Sequence, residues 1–447
     1  MNGVTPVRCA QVWVTAPIAR AVAGDASPRT SERRRGVSLS LLYGGFLVYT
    51  VSIVTNRLPV ADIAMVVALV GLAIQRNRLQ LPTFLIWFAL FVAWCIPGYA
   101  ATVYRDQAWD GLVVVSKVWL ITLVAANALS SGNRIRYFMI TYLGCFFVYP
   151  VRGALHNYYV VHHTVFGRAV WNYIYSNPND LAALALLPLS FAAALLVTER
   201  RGWVRIGAWG GIAVLPVLIL LTQSRGGILA LSVGAAIALW GHLRHVRPLF
   251  LTAAAAILMV TVTPASVWER MAGLSKAIDA QSLREADPEG SAEARYGIWQ
   301  VAVRIIQDHP LVGIGVGTYR AVHADYAPAT DQPSRGALGG RDTHSTYLNV
   351  LAETGYPGLV LFLTVVLSTM YRSERARKRC RIPLPALSRR LFYLEVGLVA
   401  FCVAGLFGSF ARLAFLYLDL ALLWAMAELS ERDLQAVHGP TVPARYR

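Results

Sequence analysis

Long apolar runs separated by short polar segments occupy the chain from residue 37 to residue 429. A helix that crosses the hydrocarbon of a bilayer needs roughly 17–25 predominantly apolar residues. Runs of that kind lie near 37–55, 58–75, 82–100, 110–129, 135–153, 180–198, 204–222, 226–241, 248–266, 345–371, 391–411 and 412–429. The pattern therefore predicts twelve transmembrane helices, the last two forming a tight pair. The one long interruption is 267–343. Within it Ile298, Ala302 and Ile305, joined by Trp299 and Ile306, recur at helical spacing. That predicts an amphipathic helix over 292–308, ended by Pro310 and Gly313. The expected fold is all-α: a polytopic integral membrane protein with about twelve spans and one large outer loop that contains an amphipathic helix.

Basic residues alternate between the short loops. One set holds RRR (33–35), QRNR (75–78), NRIR (133–136), ERRGWVR (199–205), HLRHVR (242–247) and YRSERARKRCR (371–381). The opposite set mostly holds one or two, such as Arg57, Arg105 and Arg412. Lysine and arginine concentrate in cytoplasmic loops, so both termini are expected in the cytoplasm. The resulting division is a cytoplasmic tail (1–36), spans 37–266, an outer loop (267–343), spans 344–429 and a second tail (430–447). The loop 154–179 and the turn TQSRGG (222–227) fall on the outer side, which in a Gram-negative cell is the periplasm. No internal repeat is apparent.

Composition agrees with this reading. Of 447 residues, 56% are hydrophobic and 15% charged, where soluble domains carry about 25% charged residues. The net charge of +17 is scattered between spans, whereas a nucleic-acid binder concentrates it on one face; no nucleic-acid partner is expected. Cys9, Cys95, Cys145, Cys380 and Cys402 form neither a disulfide framework nor a metal-binding spacing. Residues 1–36 lack the apolar core of a signal peptide. No P-loop, zinc-protease motif or serine-triad signature is present, and GIGVG (313–317) lacks the strand–turn–helix setting of a dinucleotide site; it reads as a flexible turn.

The polar residues that apolar packing does not explain gather at the outer ends of the spans. His344 stands where the outer loop enters the tenth span; it suits proton transfer or a capping, interfacial role. Glu353 lies deeper in the same span, where a carboxylate needs a partner or a wet cavity, and Gly355 and Pro357 break the helix beside it. Glu353 is thus read as a support for the site. Arg225 precedes Gly226-Gly227 in a tight hairpin; it either snorkels or binds phosphate through its guanidinium fork. Arg295 shares the apolar stripe of the amphipathic helix, as a packed stem or as an anion receptor, while Arg304 points away. Asn179 and Asp180 are candidate N-caps of the sixth span. Arg152 and Arg168 flank the smaller outer loop and stand either as surface charges or as a cationic funnel. Lys117 and Asp62 are expected to pair or snorkel. His162-His163 and His242 with His245 lack companions at ligand spacing.

Three stretches, QSRGGILAL (223–231), RYGIWQVAVRIIQDHPLVGIGVGTY (295–319) and HSTYLNVLAETGYPGLVLF (344–362), resemble the signature regions of the O-antigen ligase and polymerase superfamily. The resemblance covers roughly 180–370 by motif. It implies an integral membrane glycosyltransferase of the bacterial inner membrane that takes a glycan from undecaprenyl pyrophosphate on the periplasmic face, without a nucleotide sugar or metal cofactor. It assigns Arg225 and Arg295 to the family's essential arginines and His344 to its essential histidine, with weaker carry-over to Arg152, Arg168, Asn179 and Asp180. The mouth at 341–344, including Arg341, would then meet the phosphate–sugar junction and the acceptor. The leading expectation is a ligase that moves a glycan onto lipid A–core or a related saccharide acceptor. A repeat-unit polymerase is the first alternative; polymerases often have two sizeable outer loops. A relative that glycosylates protein hydroxyls typically carries a long C-terminal outer domain. A transporter or lipid flippase is the alternative of another class, and would show inverted repeats and mid-membrane charge.

Overall fold

A computed structural model describes residues 29–76, 79–241, 291–329 and 338–438. Regular structure among the described residues is helical. The order is α1 (Arg29–Thr55), α2 (Ala61–Ile74), α3 (Thr83–Ala101), α4 (Arg105–Ala128), α5 (Gly132–Phe146), α6 (Arg152–His156), α7 (Pro178–Thr198), α8 (Gly202–Leu221), α9 (Arg225–Trp240), α10 (Ser291–Asp308), α11 (Tyr319–Tyr326), α12 (Thr346–Cys380), α13 (Pro385–Ala404) and α14 (Ala414–His438). π-helical turns, Phe147–Val151 and Asn157–Val161, join α5 to α6 and extend it.

Among the described residues, six helical segments are long and apolar enough to cross a membrane: α3, α4, the continuous Gly132–Val161 segment, α7, α8 and α12. Leu41–Thr55, Ala61–Ile74 and α9 are shorter apolar helices. The chain is therefore built as a multi-pass membrane protein. The span expected at 248–266 lies outside the described residues, as do Cys9, His242 and His245. The N-terminal helix begins at Arg29, inside the stretch expected to be a tail, and α14 continues to His438.

Two helices form the axis of the bundle. α7 packs against α5, α8, α9 and α13; its alanines at 182, 183, 185, 192 and 194 are buried and let neighbours approach closely, as small residues do between membrane helices. α14 packs on α4, α12 and α13, and nearly every residue from Phe415 to Ala427 is buried. Such all-round burial explains why neither helix shows an amphipathic stripe. Lys117 meets Asp62 at 3.2 Å between α4 and α2.

Two boundaries differ from the sequence reading. The eleventh span was expected to run to 411, but α13 stops at Ala404 and α14 starts at Ala414. The intervening segment 405–413 is folded over the end of the bundle through polar side chains of α12's first turn and the residues before it, a long-range partnership that no local pattern encodes. The flexible turn expected at 313–317 is instead a packed wedge. Gly313, Gly315 and Gly317 take φ of 71°, 100° and 90°, left-handed values that only glycine adopts freely. This lets the amides of Ile314 and Gly315 donate to the carbonyls of Ala352 and Glu353 at 3.0 Å each.

Candidate functional site

The wedge explains the break in α12. Gly355 has φ 69°, and a Cβ there would lie 2.1 Å from the Leu311 carbonyl oxygen. On the other side the wedge presses on α3 and α4: a Cβ on Gly111 would come within 2.1 Å of the Val316 oxygen. Irregular backbone at membrane depth is tolerated where protein surrounds it, and here three helices do. Glu353 is 2% exposed, and its Oε1 accepts from the Tyr319 amide at 3.3 Å; the amide of Gly317 also bonds it and Arg412 lies within charge range. Trp94 closes the break by donating to the Thr354 carbonyl at 2.9 Å. Glu353 thus fastens the wedge and α11 to α12.

His344 lies immediately above this scaffold, and its neighbours are anchored on both sides. Trp299 of α10 donates its indole N–H to the Thr343 carbonyl at 2.9 Å. The Thr343 hydroxyl reaches the Ser409 hydroxyl and the Ser345 carbonyl, both at 3.0 Å. The Thr346 amide donates to the Gly405 carbonyl at 2.8 Å, and its hydroxyl donates to Gly408 at 2.6 Å and accepts from the Phe410 amide at 2.9 Å. His344 itself holds φ 49°, a costly conformation for a residue with a Cβ, of the sort over-determined surroundings preserve at functional sites. The N-cap position of α12 belongs to Ser345, so the capping role weighed for His344 is not its role. Burial lowers the His344 pKa below the ordinary histidine value; Asp342 opposes that shift, while Arg295 and Arg341 reinforce it. The imidazole is accordingly neutral, with a lone pair to accept a proton, at neutral pH.

Arg295 projects from the first turns of α10, whose apolar stripe (Ile298, Val301, Ala302, Ile305, Ile306) is buried as the spacing predicts. Arg304 is on the exposed face. Asp180, in the first turn of α7, is within charge range of Arg295 and Asp342. One electrostatic cluster therefore contains Asp180, Arg295, Arg341, Asp342 and His344. Arg341 is exposed, with Nε donating to the Leu338 carbonyl at 3.1 Å.

The Arg225 turn joins the same end of the bundle through α7. Ser224 caps α9, accepting from Gly227 N–H at 3.2 Å, and donates its hydroxyl to Asn179 Oδ1 at 2.8 Å. Arg168 donates to the same Asn179 oxygen at 2.9 Å and to the Thr222 carbonyl at 2.8 Å. Gln223, at φ 50°, sets the sharp turn and reaches the Gly167 carbonyl at 3.2 Å. A Cβ on Gly226 would meet Phe407 at 2.6 Å, so the 405–413 segment touches the Arg225 turn on one flank and the residues around His344 on the other. Asn179 and Asp180 were candidate caps; the cap is Asn177, accepting from the Asn179 amide at 2.8 Å with Pro178 at the first helical position. That arrangement releases Asn179 to knit the segment before α7, through Arg168, to the Arg225 turn.

Arg152 does not join the His344 cluster. It lines a separate cavity with Arg57, His156 and Trp171. His162 and His163 are exposed. Sequence reasoning passed over Ser224, Asn177, Thr343, Ser409 and the buried His323, whose Nδ1 lies 2.8 Å from the Gly339 carbonyl and whose pKa burial lowers. Gly408-Ser409 lies inside the apolar run expected at 391–411 and is too short a polar interruption to reveal the ordered segment there.

Residues 210–363, which hold Arg225, Arg295, His344 and Glu353, match a family model described as O-antigen ligase. The chain is also 28% identical over 210 residues to the exopolysaccharide production protein ExoQ of Rhizobium meliloti (strain 1021), a match covering 45% of this chain and 46% of that relative. The chain thus aligns with less than half the length of that curated relative.

Proposed function

With residues 210–363 matching the O-antigen ligase family, and the chain related to the O-antigen ligase and polymerase family, we propose that this protein is a membrane glycosyltransferase. It moves a glycan from a polyprenyl-pyrophosphate carrier to a saccharide hydroxyl at the mouth of the helix bundle. The observation that carries this reading is His344: a partly buried imidazole within charge range of Arg295, Arg341 and Asp342, with hydrogen-bonded backbone on each side. In the reaction, the acceptor hydroxyl oxygen forms a bond to the anomeric carbon as the carbon–oxygen bond to the pyrophosphate breaks. His344 takes the hydroxyl proton, and the bonding pair leaves with the pyrophosphate. Arg225 and Arg295 stabilise that departing charge, work done elsewhere by metal ions. Arg341 draws the donor's phosphates to the interface, while its lipid chain stays in the bilayer. We assign the mouth to the periplasmic side and both termini to the cytoplasm on the distribution of arginine and lysine.

The leading acceptor is lipid A–core or a related saccharide. The polymerase reading, in which the acceptor is another carrier-linked repeat unit, gains support from the relative named for exopolysaccharide production. Reconstituted protein supplied with polyprenyl-pyrophosphate glycan, with and without lipid A–core, separates them. Glycan on lipid A–core is expected from a ligase; longer glycans on the carrier without that acceptor identify a polymerase. Undiminished transfer by His344→Ala removes the general-base assignment.

A further inference from the structure

A second basic site stands apart from the His344 cluster. A cavity of about 230 Å³ lies between the end of α1, the α5–α6 junction and the smaller outer loop, lined by Arg57, Val148, Tyr149, Arg152, Gly153, His156 and Trp171. Two guanidiniums and an imidazole face it and none of its lining residues is acidic. Its walls are prebuilt. The Trp171 indole lies against bare backbone at Gly153, where a Cβ would sit 2.3 Å from the ring. The Trp171 amide donates to Tyr175 at 2.9 Å, and the Tyr175 hydroxyl donates to the Val54 carbonyl at 2.8 Å, beside Arg57. Asn157 holds the Val170 carbonyl at 3.1 Å. Arg57 is poised over the Trp171 ring with Cζ 5.6 Å from its centroid, an orientation that cation–π attraction favours.

The π-helical turns on either side of α6 are of the kind that recurs where helices build sites. They bring Val148 and Tyr149 from one turn beneath Arg152 and His156 of the next. Both Val148 and Tyr149 remain exposed, as do Tyr159, Val160 and Val161 further on. The cavity therefore has a cationic head and an apolar flank along the side of a membrane helix.

We propose that this cavity binds the phosphate-bearing headgroup of a lipid. Two arginines match phosphate oxygens through their planar forks, and the apolar flank takes the start of the lipid's chain. The proposal stands on this cavity alone and does not depend on the transfer reaction. Two sources carry that chemistry, a membrane glycerophospholipid and a phosphorylated glycolipid.

The test is native mass spectrometry of the full chain in neutral detergent, titrated with phosphatidic acid, with a diphosphorylated acyl-glucosamine lipid, or with diacylglycerol as a phosphate-free control. Wild type is expected to retain both phosphate lipids over diacylglycerol. The Arg57→Gln/Arg152→Gln double variant is expected to lose about tenfold in their affinity, on the order of two charge-assisted contacts partly compensated by His156. Arg375→Gln/Arg379→Gln, an equal charge loss on the exposed end of α12, is expected to bind as wild type does. Equal retention of the two lipids assigns the cavity to phosphate as such; preference for the glycolipid assigns its saccharide as well. No preference for phosphate over diacylglycerol, an unchanged double variant, or an equal loss in the control pair overturns the proposal. Arg57 and Arg152 are exposed, so the variants are expected to fold, and thermal melting verifies it.

Discussion

The two ends of the helix bundle differ in what several of their arginines meet. At the end formed by the α4–α5, α7–α8 and α12–α13 connections, guanidiniums meet carboxylates. Arg136 pairs with Glu199, Arg372 with Glu428 at 2.6 Å and Glu431 at 3.1 Å, and Arg377 with Glu395 at 2.5 Å. At the mouth, Arg320 and Arg341 donate to the carbonyls of Gly340 and Leu338 at 3.0 and 3.1 Å, and Arg57 lies over Trp171. Neutral partners orient a cation and leave its charge in place. The ion pairs at the first end clamp helices together, whereas the carbonyl and ring contacts of Arg320, Arg341 and Arg57 suit the anion binding proposed for the outer arginines.

This contrast has consequences that substitutions can break or sharpen. The largest effect is expected for His344→Ala and Arg225→Ala. The first should lower transfer about 10²–10⁴-fold and the second about 10²–10³-fold, with melting temperatures near wild type, as measured by single-turnover transfer and thermal unfolding in detergent. Arg377→Met reverses the pattern. It leaves Glu395, 6% exposed, without its cation and should cost about 3 kcal/mol, the low end for a broken buried pair. Transfer per folded molecule should be unchanged. Loss of activity without loss of stability there would undo the distinction between the ends.

Gly355→Ala joins the two properties, because the wedge both supports the site and fills the bundle. A side chain at φ 69° against the Leu311 carbonyl should cost more than about 1 kcal/mol and reduce transfer with it. The pH dependence is gentler. Burial places the His344 pKa below the ordinary value, and the neutral form is the base. Transfer should stay level from pH 8 to about 6.5, the unperturbed histidine value, and fall only at lower pH. A fall that begins above it would mean the imidazolium is favoured in the site. The smallest effect belongs to Lys378→Ala, which removes an exposed i,i+4 pair with Glu374 at 2.7 Å and should change stability by about 0.5 kcal/mol or less.

The apolar runs located the helices because burial in lipid or in a bundle demands side chains whose type any reader of the sequence recognises. The amphipathic α10 was legible for the same reason, as was the need of Glu353 for partners. His344 and the Arg225 turn stood out because charge at an apolar boundary is expensive and so informative. The N-cap of α7 was misjudged by two or three residues, since Asn177, Asn179 and Asp180 are all good caps in isolation and only Pro178 and the packing select the first. The glycines at 313–317 signalled freedom of the backbone, and a free backbone is equally suited to mobility or to a wedge between α3, α4 and α12.

What the sequence determined by itself is a set of apolar helices, one amphipathic helix in a polar interruption, and the polar residues too costly to be accidental. Those follow from local periodicity and from transfer free energies that act residue by residue. Which of the polar residues meet was decided by tertiary structure: Asp180 with Arg295 and Asp342, Thr343 with Trp299 and Ser409, Arg152 with Arg57 instead of with His344. Such pairings depend on hydrogen bonds and charges between positions far apart in the chain, whose strength falls away within a few ångströms, so they come into being only once the helices have packed.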